Sequence, residues 1–166
     1  MAVATNRPSC AAAAFARENG IPVGDLSQKS FESAEHRDEA MRDFFTGHGV
    51  ALVVDAGYDR VHTRPFVDAF RGRIINVHPS LLPMFSGGMD AVEQALESGL
   101  KFTGATVHVV TADLDAGPIL LQESVPILEG DTVESLRGRV HEAEYRILPE
   151  AIRMMEERLA KSPAVG

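Results

Sequence analysis

The sequence predicts an α/β domain: a three-layer, doubly wound, mostly parallel sheet with a C-terminal antiparallel hairpin and a long C-terminal helix. Three observations carry this. Residues 50–57 (VALVVDAG) and 73–78 (RIINVH) are near-continuous apolar runs, the pattern of parallel strands buried on both faces. Segments with three- and four-residue apolar spacing alternate with those runs, as βαβ units require. Residues 103–111 and 117–127 are strongly β-forming and joined too tightly for a crossover, so they pair as a hairpin at one edge. Residues 1–166 are long enough for one core, and no repeat or low-complexity tract divides them, so a single domain is expected.

Residues 1–5 are too short to assign alone. The alanine-rich segment 11–19 reads as a short helix stopped by Gly20 and Pro22; the polar TNRPS before it argues against a signal peptide. Residues 31–46 have helical spacing, with Phe31, Ala34, Met41, Phe44 and Phe45 on or near one side. After the first buried strand, RPFVDAF (64–70) predicts a short helix with Pro65 at an early position. The second buried strand, 73–78, leads to a helix over 88–99 that ends on a glycine. In the tail, Asp131 with Glu134 three residues on predicts a capping box. Val133, Leu136, Val140, Ala143, Ile147 and Ala151 then mark the buried face of a helix that Pro149 is expected to break or kink near Leu148.

Composition removes whole classes of function. Sixteen basic residues stand against 24 acidic ones, a net charge of -8, which disfavours nucleic acid and anionic membrane surfaces as partners. A single cysteine, Cys10, cannot form an internal disulfide, so a cytoplasmic location is expected. No Cys/His or HExxH spacing points to a metal, and GHGVAL (47–52) has Leu52 where a dinucleotide fingerprint needs its third glycine.

The stretch IINVHPSLLP (74–83) carries the chemistry. Residues two apart on a strand share a face, so Asn76 and His78 point the same way, and Pro79 ends the strand just beyond them. Ligands of open α/β sheets bind at that carboxyl end. An amide and an imidazolium there can hold a carbonyl oxygen as it becomes an oxyanion, and a nearby carboxylate can take a proton from the attacking nucleophile. The same pair also suits a plain strand end bonded to backbone. The loop TADLDAGP (111–118) offers Asp113 and Asp115, which an Asx-type turn alone would explain. His108 is expected in the core or behind the site, and His36, His48 and His62 at the surface.

INVHPSLLP, DAVEQALESG, TGATVHVV, DLDAGPILLQ and VPILEGDT together resemble the glycinamide ribonucleotide formyltransferase family of purine biosynthesis, in order and nearly in spacing from about Asn6 to Leu159. The resemblance implies formyl transfer from 10-formyltetrahydrofolate to the amine of glycinamide ribonucleotide, through a tetrahedral intermediate and without a metal. By motif position it makes Asn76 and His78 the catalytic pair, with His78 the proton donor. Asp115 becomes the aspartate that keeps the histidine in its donating form and moves protons through a bound water, which Thr106 supports. The folate would be gripped by Asp59, Arg60, Val61 and His62, by Asn76, and by Thr111, Ala112, Asp113, Leu114 and Asp115. His141, Glu142, Ala143 and Glu144 would contact the ribonucleotide.

The sequence also departs from the family. Members begin with a strand, a glycine-rich loop and a helix that bind the nucleotide phosphate; residues 3–23 here match the segment after that unit. The expectation is therefore an N-terminally truncated domain with weakened phosphate binding and an open sheet edge through which it could self-associate. Asp55, Asp59 and His62 replace residues usually apolar in the family, Ala34 falls where many members carry arginine, and MFSGGMD is one residue longer than the usual loop. Drift on a solvent face would explain each. Two alternatives stay open: hydrolysis of 10-formyltetrahydrofolate, and a non-catalytic folate-binding remnant.

Overall fold

The structure, a computed structural model, describes residues 1–27, 30–88 and 90–161. The chain forms two compact units: Met1–Ala51 with Val61–Arg71, and Leu52–Arg60 with the chain from Gly72 onward. Among the described residues no helix is long and apolar enough to cross a membrane.

The first unit holds strand β1 (Val3–Thr5), helix α1 (Ala11–Glu18), strand β2 (Val23–Asp25) and helix α2 (Ala34–Gly47), with helix α3 (Arg64–Ala69) added from the second segment. β1 and β2 pair in parallel with Val3 opposite Val23, so α1 is their crossover, and Ala13 and Ala16 form its buried face. Within the segment 1–5, too short to assign from sequence, Val3–Thr5 is a strand because β2 supplies its partner. α2 begins later than its apolar spacing implies. Ser33 is extended and caps the helix, its side chain accepting from the His36 amide at 3.2 Å. Phe45, the α3 residue Phe66 and Phe70 at the α3 C-cap form an aromatic cluster with centroids 5.2–6.5 Å apart. Asp38 of α2 is also buried. Its carboxylate accepts from the Thr63 amide and from Arg37 Nε, and Arg37 also donates to the Val61 carbonyl.

The second unit is a four-stranded sheet in the order β3 (Val53–Asp55), β4 (Ile74–His78), β5 (Phe102–Val109), β6 (Ile119–Pro126). β3 and β4 are parallel; β5 runs against both neighbours and forms the expected edge hairpin with β6. Helix α4 (Ala91–Glu97) precedes β5, and helix α5 (Val133–Lys161) closes the chain. The core is the predicted stripe of α5, Leu136, Val140, Ala143, Ile147 and Ala151 with Met155, packed on Ile75, Val107, Val109 and Val125. Gly104 permits the tight hairpin: a Cβ there would lie 2.1 Å from the Glu123 carbonyl oxygen.

Two details of α5 correct the sequence reading. The cap is built one residue later than expected: Thr132 Oγ1 accepts from the Ser135 amide at 3.3 Å, and Ser135 Oγ accepts from the Thr132 amide at 3.0 Å. Asp131 instead binds Arg139, which holds its carboxyl far below the ordinary carboxylate range. Pro149 does not end the helix, which runs on to Lys161. Ile147 and Ala151 on either side stay packed on the sheet, which offsets a cost of about 3 kcal/mol for proline in a helix. The hydrogen bond that Pro149 cannot donate would have gone to the carbonyl of Tyr145, an exposed residue that water can serve.

Candidate active site

Strand register assembles the site. Asn76 on β4 lies beside Asp55 on β3 and opposite His108 on β5, and His78 lies opposite Thr106. Paired residues share a face, so Asp55, Asn76 and His108 form a polar row across three strands with His78 next to it. These groups are buried: His78 is 6% exposed, His108 2% and Asp55 8%. Pro79 stops the ladder, and the chain turns as the Ser80 amide donates to the His78 carbonyl at 2.9 Å.

Asp115 closes the site from the loop between β5 and β6. Its φ of 52° is left-handed, a conformation few non-glycine residues adopt. This brings Oδ2 to 3.7 Å from His78 Nδ1 and Oδ1 to 3.6 Å from His108 Nε2. Oδ2 also accepts from the Gly87 amide at 2.8 Å. Gly117 makes the return possible: a Cβ there would lie 1.7 Å from the Val109 carbonyl oxygen.

His108 is the neutral partner. Burial lowers its pKa, against the opposing pull of the Val109 carbonyl and of Asp115. Nδ1 lies 3.2 Å from the Val109 carbonyl, which only accepts, so that nitrogen carries the proton. Nε2 is then free to accept from Asn76 Nδ2 at 3.3 Å. His108 thereby fixes which end of the Asn76 amide points where, and leaves its second N–H and its oxygen for a ligand. The sequence pattern expects His108 in the core or behind the site. Its place opposite Asn76 depends on β4–β5 register, which no local pattern reveals.

Thr106 has a different occupation from the one its motif implies. Its hydroxyl donates to the Ser80 carbonyl at 2.6 Å and accepts from the Leu82 amide at 3.1 Å and from Gln122 Nε2 at 3.0 Å. One donor and two lone pairs are then filled, so the side chain holds the turn after β4 and has nothing left for a water.

The remaining predicted residues divide. Thr111 Oγ1 donates to the Asp113 carbonyl at 3.1 Å, shaping the 111–115 loop, while Ala112, Asp113 and Leu114 are exposed. Asp59 and Arg60 pair at 3.6 Å in the second unit. In the first unit Val61 is exposed, and His62 is half-buried, stacked on Phe66 at 4.4 Å. That corrects the surface expectation for His62, whose ring lies against Phe66 of α3; His36 and His48 are exposed as expected. Asp55 is likewise no solvent-face change, because it is buried where β3 ends beside Asn76. Ala34 is exposed in the first turn of α2. On α5, Ala143 is fully buried against the sheet and contributes packing, whereas His141 and Glu142 are exposed. Glu144 is 15% exposed, and burial pushes its carboxyl up to about 7.

Known proteins share this architecture and sequence. The pattern that defines the formyl transferase family matches residues 1–152. The human trifunctional purine biosynthetic protein adenosine-3 is 40% identical over 153 residues, 92% of this chain but 15% of that protein. Phosphoribosylglycinamide formyltransferase of Mycobacterium tuberculosis is 41% identical over 152 residues, covering 92% of this chain and 70% of the relative. Among solved structures, glycinamide ribonucleotide transformylase 1 from Symbiobacterium toebii superposes with a TM-score of 0.90 at 46% identity, over 95% of this chain and 74% of that one. Phosphoribosylglycinamide formyltransferase from Bacillus halodurans also gives 0.90, at 34% identity over 99% and 84%. The chain thus spans a small fraction of the trifunctional relatives and about seven tenths of the single-function ones, and with its fold and nearly its whole length accounted for, it belongs to the formyl transferase family.

Proposed function

We propose that the chain transfers a formyl group from 10-formyltetrahydrofolate to the amine of glycinamide ribonucleotide. The observation that supports this most is the convergence at the carboxyl end of β4: Asn76 and His78 share one strand face, and Asp115 reaches to 3.7 Å from the buried His78 ring. A bound 10-formyltetrahydrofolate supplies the formyl carbon. The donor set fits a carbonyl oxygen: a neutral amide N–H from Asn76 and an N–H of the His78 imidazolium.

In this reading Asn76 and His78 donate to the formyl oxygen as negative charge builds on it, a contribution of about 10²–10³ in rate per donor. Asp115, 3.7 Å from His78 Nδ1, accepts the proton that the attacking amine gives up. Its second carboxylate oxygen faces the neutral His108 ring, and the Gly87 amide holds the carboxylate in place. His141, Glu142 and Glu144 line the ribonucleotide side, where the buried Glu144 carboxylate accepts from hydroxyls. Asp59, Arg60 and the Thr111–Asp115 loop of the second unit serve the folate.

The test is formyl transfer by the purified chain, with samples lacking ribonucleotide and with Asp115→Asn. Transfer that requires ribonucleotide and falls by about 10² or more in the variant is expected. Formate release indifferent to ribonucleotide, or full activity in Asp115→Asn, refutes the reading.

A further inference from the structure

Two non-glycine residues among those described have left-handed backbones, Phe85 at φ 58° and Asp115 at φ 52°. Each costs about 1–2 kcal/mol, and both present polar groups to the same ring. Asp115 brings its carboxylate to Nδ1 of His78; Phe85 brings its backbone carbonyl to Nε2, at 3.1 Å.

The turn that carries Phe85 is tied down along its length. Gln122, on the edge strand β6, donates to the Leu82 carbonyl at 3.0 Å and to Thr106 Oγ1 at 3.0 Å. Thr106 holds Ser80 and Leu82, Ser80 Oγ donates to the Met84 carbonyl, and the Gly87 amide ends the chain of contacts on Asp115.

We propose that this turn sets the proton inventory of His78, with the Phe85 carbonyl as a positioning group and Gln122 as a positioning residue. The inference rests on the formyl-transfer reading for its functional consequence but not for its geometry. A carbonyl oxygen accepts and never donates, so Nε2 must carry a proton in every state of the ring. The neutral ring is the Nε2–H tautomer. The proton that comes and goes sits on Nδ1, facing Asp115. At 3.7 Å that pair is too far apart for a direct hydrogen bond. An oxygen seated beside the gap can reach both atoms at about 2.8 Å. Proton donation to the substrate therefore leaves from Nδ1, and the proton moves from the imidazolium to the oxyanion while Nε2–H stays on Phe85. Without the turn, either nitrogen could hold the single proton, and many of the neutral rings would face Asp115 with the wrong atom.

The experiment is a long-range ¹⁵N–¹H correlation of the His78 ring in the full chain, at a pH where the ring is neutral. The expected spectrum shows a protonated Nε2 and an unprotonated Nδ1. Phe85→Pro, whose ring forbids a positive φ, is expected to mix the tautomers. It should lower kcat by about tenfold to a hundredfold with little change in KM, and Phe85→Gly should restore both. Gln122→Leu, at an edge-strand position, provides a milder variant should Phe85→Pro fail to fold; a partial tautomer mixture is expected. A wild-type ring protonated on Nδ1 overturns the proposal, as does a pure Nε2–H ring in both Phe85→Pro and Gln122→Leu. A wild-type chain without formyl transfer overturns the proposed function instead, and the ring spectrum still decides this inference.

Discussion

Replacing Glu144 with glutamine is expected to stabilise the protein, and by an amount that grows with pH. Burial alone raises this carboxyl from 4.5 to about 7; His141 Nε2 lies 3.9 Å away but is itself half exposed. In the unfolded chain the carboxyl returns to its ordinary value. Between pH 4.5 and 7 the folded state therefore binds more protons than the unfolded one, and stability falls as pH rises through that window. At about 1.4 kcal/mol for each tenfold of displaced ionisation, the full descent is about 3 kcal/mol. Water reaching the part still exposed lowers this to about 1–2 kcal/mol. Glutamine keeps the shape and cannot ionise, so its descent is absent. Urea denaturation of both proteins at about pH 4.5 and pH 8.5, on either side of that window, reads the effect directly. The variant should match wild type at the low pH and exceed it by about 1–2 kcal/mol at the high one. A difference independent of pH would refute the burial argument. If the pH dependence disappears in a His141→Gln background, the histidine rather than burial is its source.

The packing and the hydrogen-bond network set three further outcomes. Gly104→Ala should cost about 3 kcal/mol in thermal unfolding, because its Cβ meets the Glu123 carbonyl, a backbone atom that moves only if the hairpin parts; near-neutral stability would show that β5 and β6 are looser than described. Thr106→Val leaves the Leu82 amide without its partner and deprives Gln122 of one, and should lower stability by about 2 kcal/mol. Its folate KM should change little, and an unchanged unfolding midpoint counts against the role given to the hydroxyl. His108→Phe removes the acceptor of Asn76 Nδ2 and should reduce kcat by about tenfold or more, with partial recovery in His108→Gln; equal losses in both variants would refute an orienting role.

Much of this was legible in the sequence because periodicity reports burial. The runs at 50–57 and 73–78 are apolar where Val53, Ile74 and Ile75 are buried, and the α5 stripe repeats because one face meets β5 and β6. Asn76 and His78 were readable from strand parity and the proline just after them. What was hidden depends on long-range register or on backbone shape. His108 faces Asn76 only because β5 pairs with β4 in one particular alignment. Asp55 reads as a surface change until β3 is seen to end beside Asn76. Phe85 and Gly87 act through backbone groups, which side-chain identity does not disclose. Pro149 misleads for the opposite reason: its local rule is sound, but a stripe packed on both sides of it outweighs the rule.

The polar row across β3, β4 and β5 also restricts how this chain can evolve. Isoleucine and valine elsewhere in the core exchange for one another at about 0.5–1.5 kcal/mol. Asn76 has no such freedom, since an apolar replacement strands the His108 nitrogen that accepts from it, and a change at His108 strands the amide, at about 1–3 kcal/mol each. Viable substitutions must arrive in pairs. Lineages are therefore expected to keep these positions unchanged or to alter them together, while the apolar strands around them drift one residue at a time.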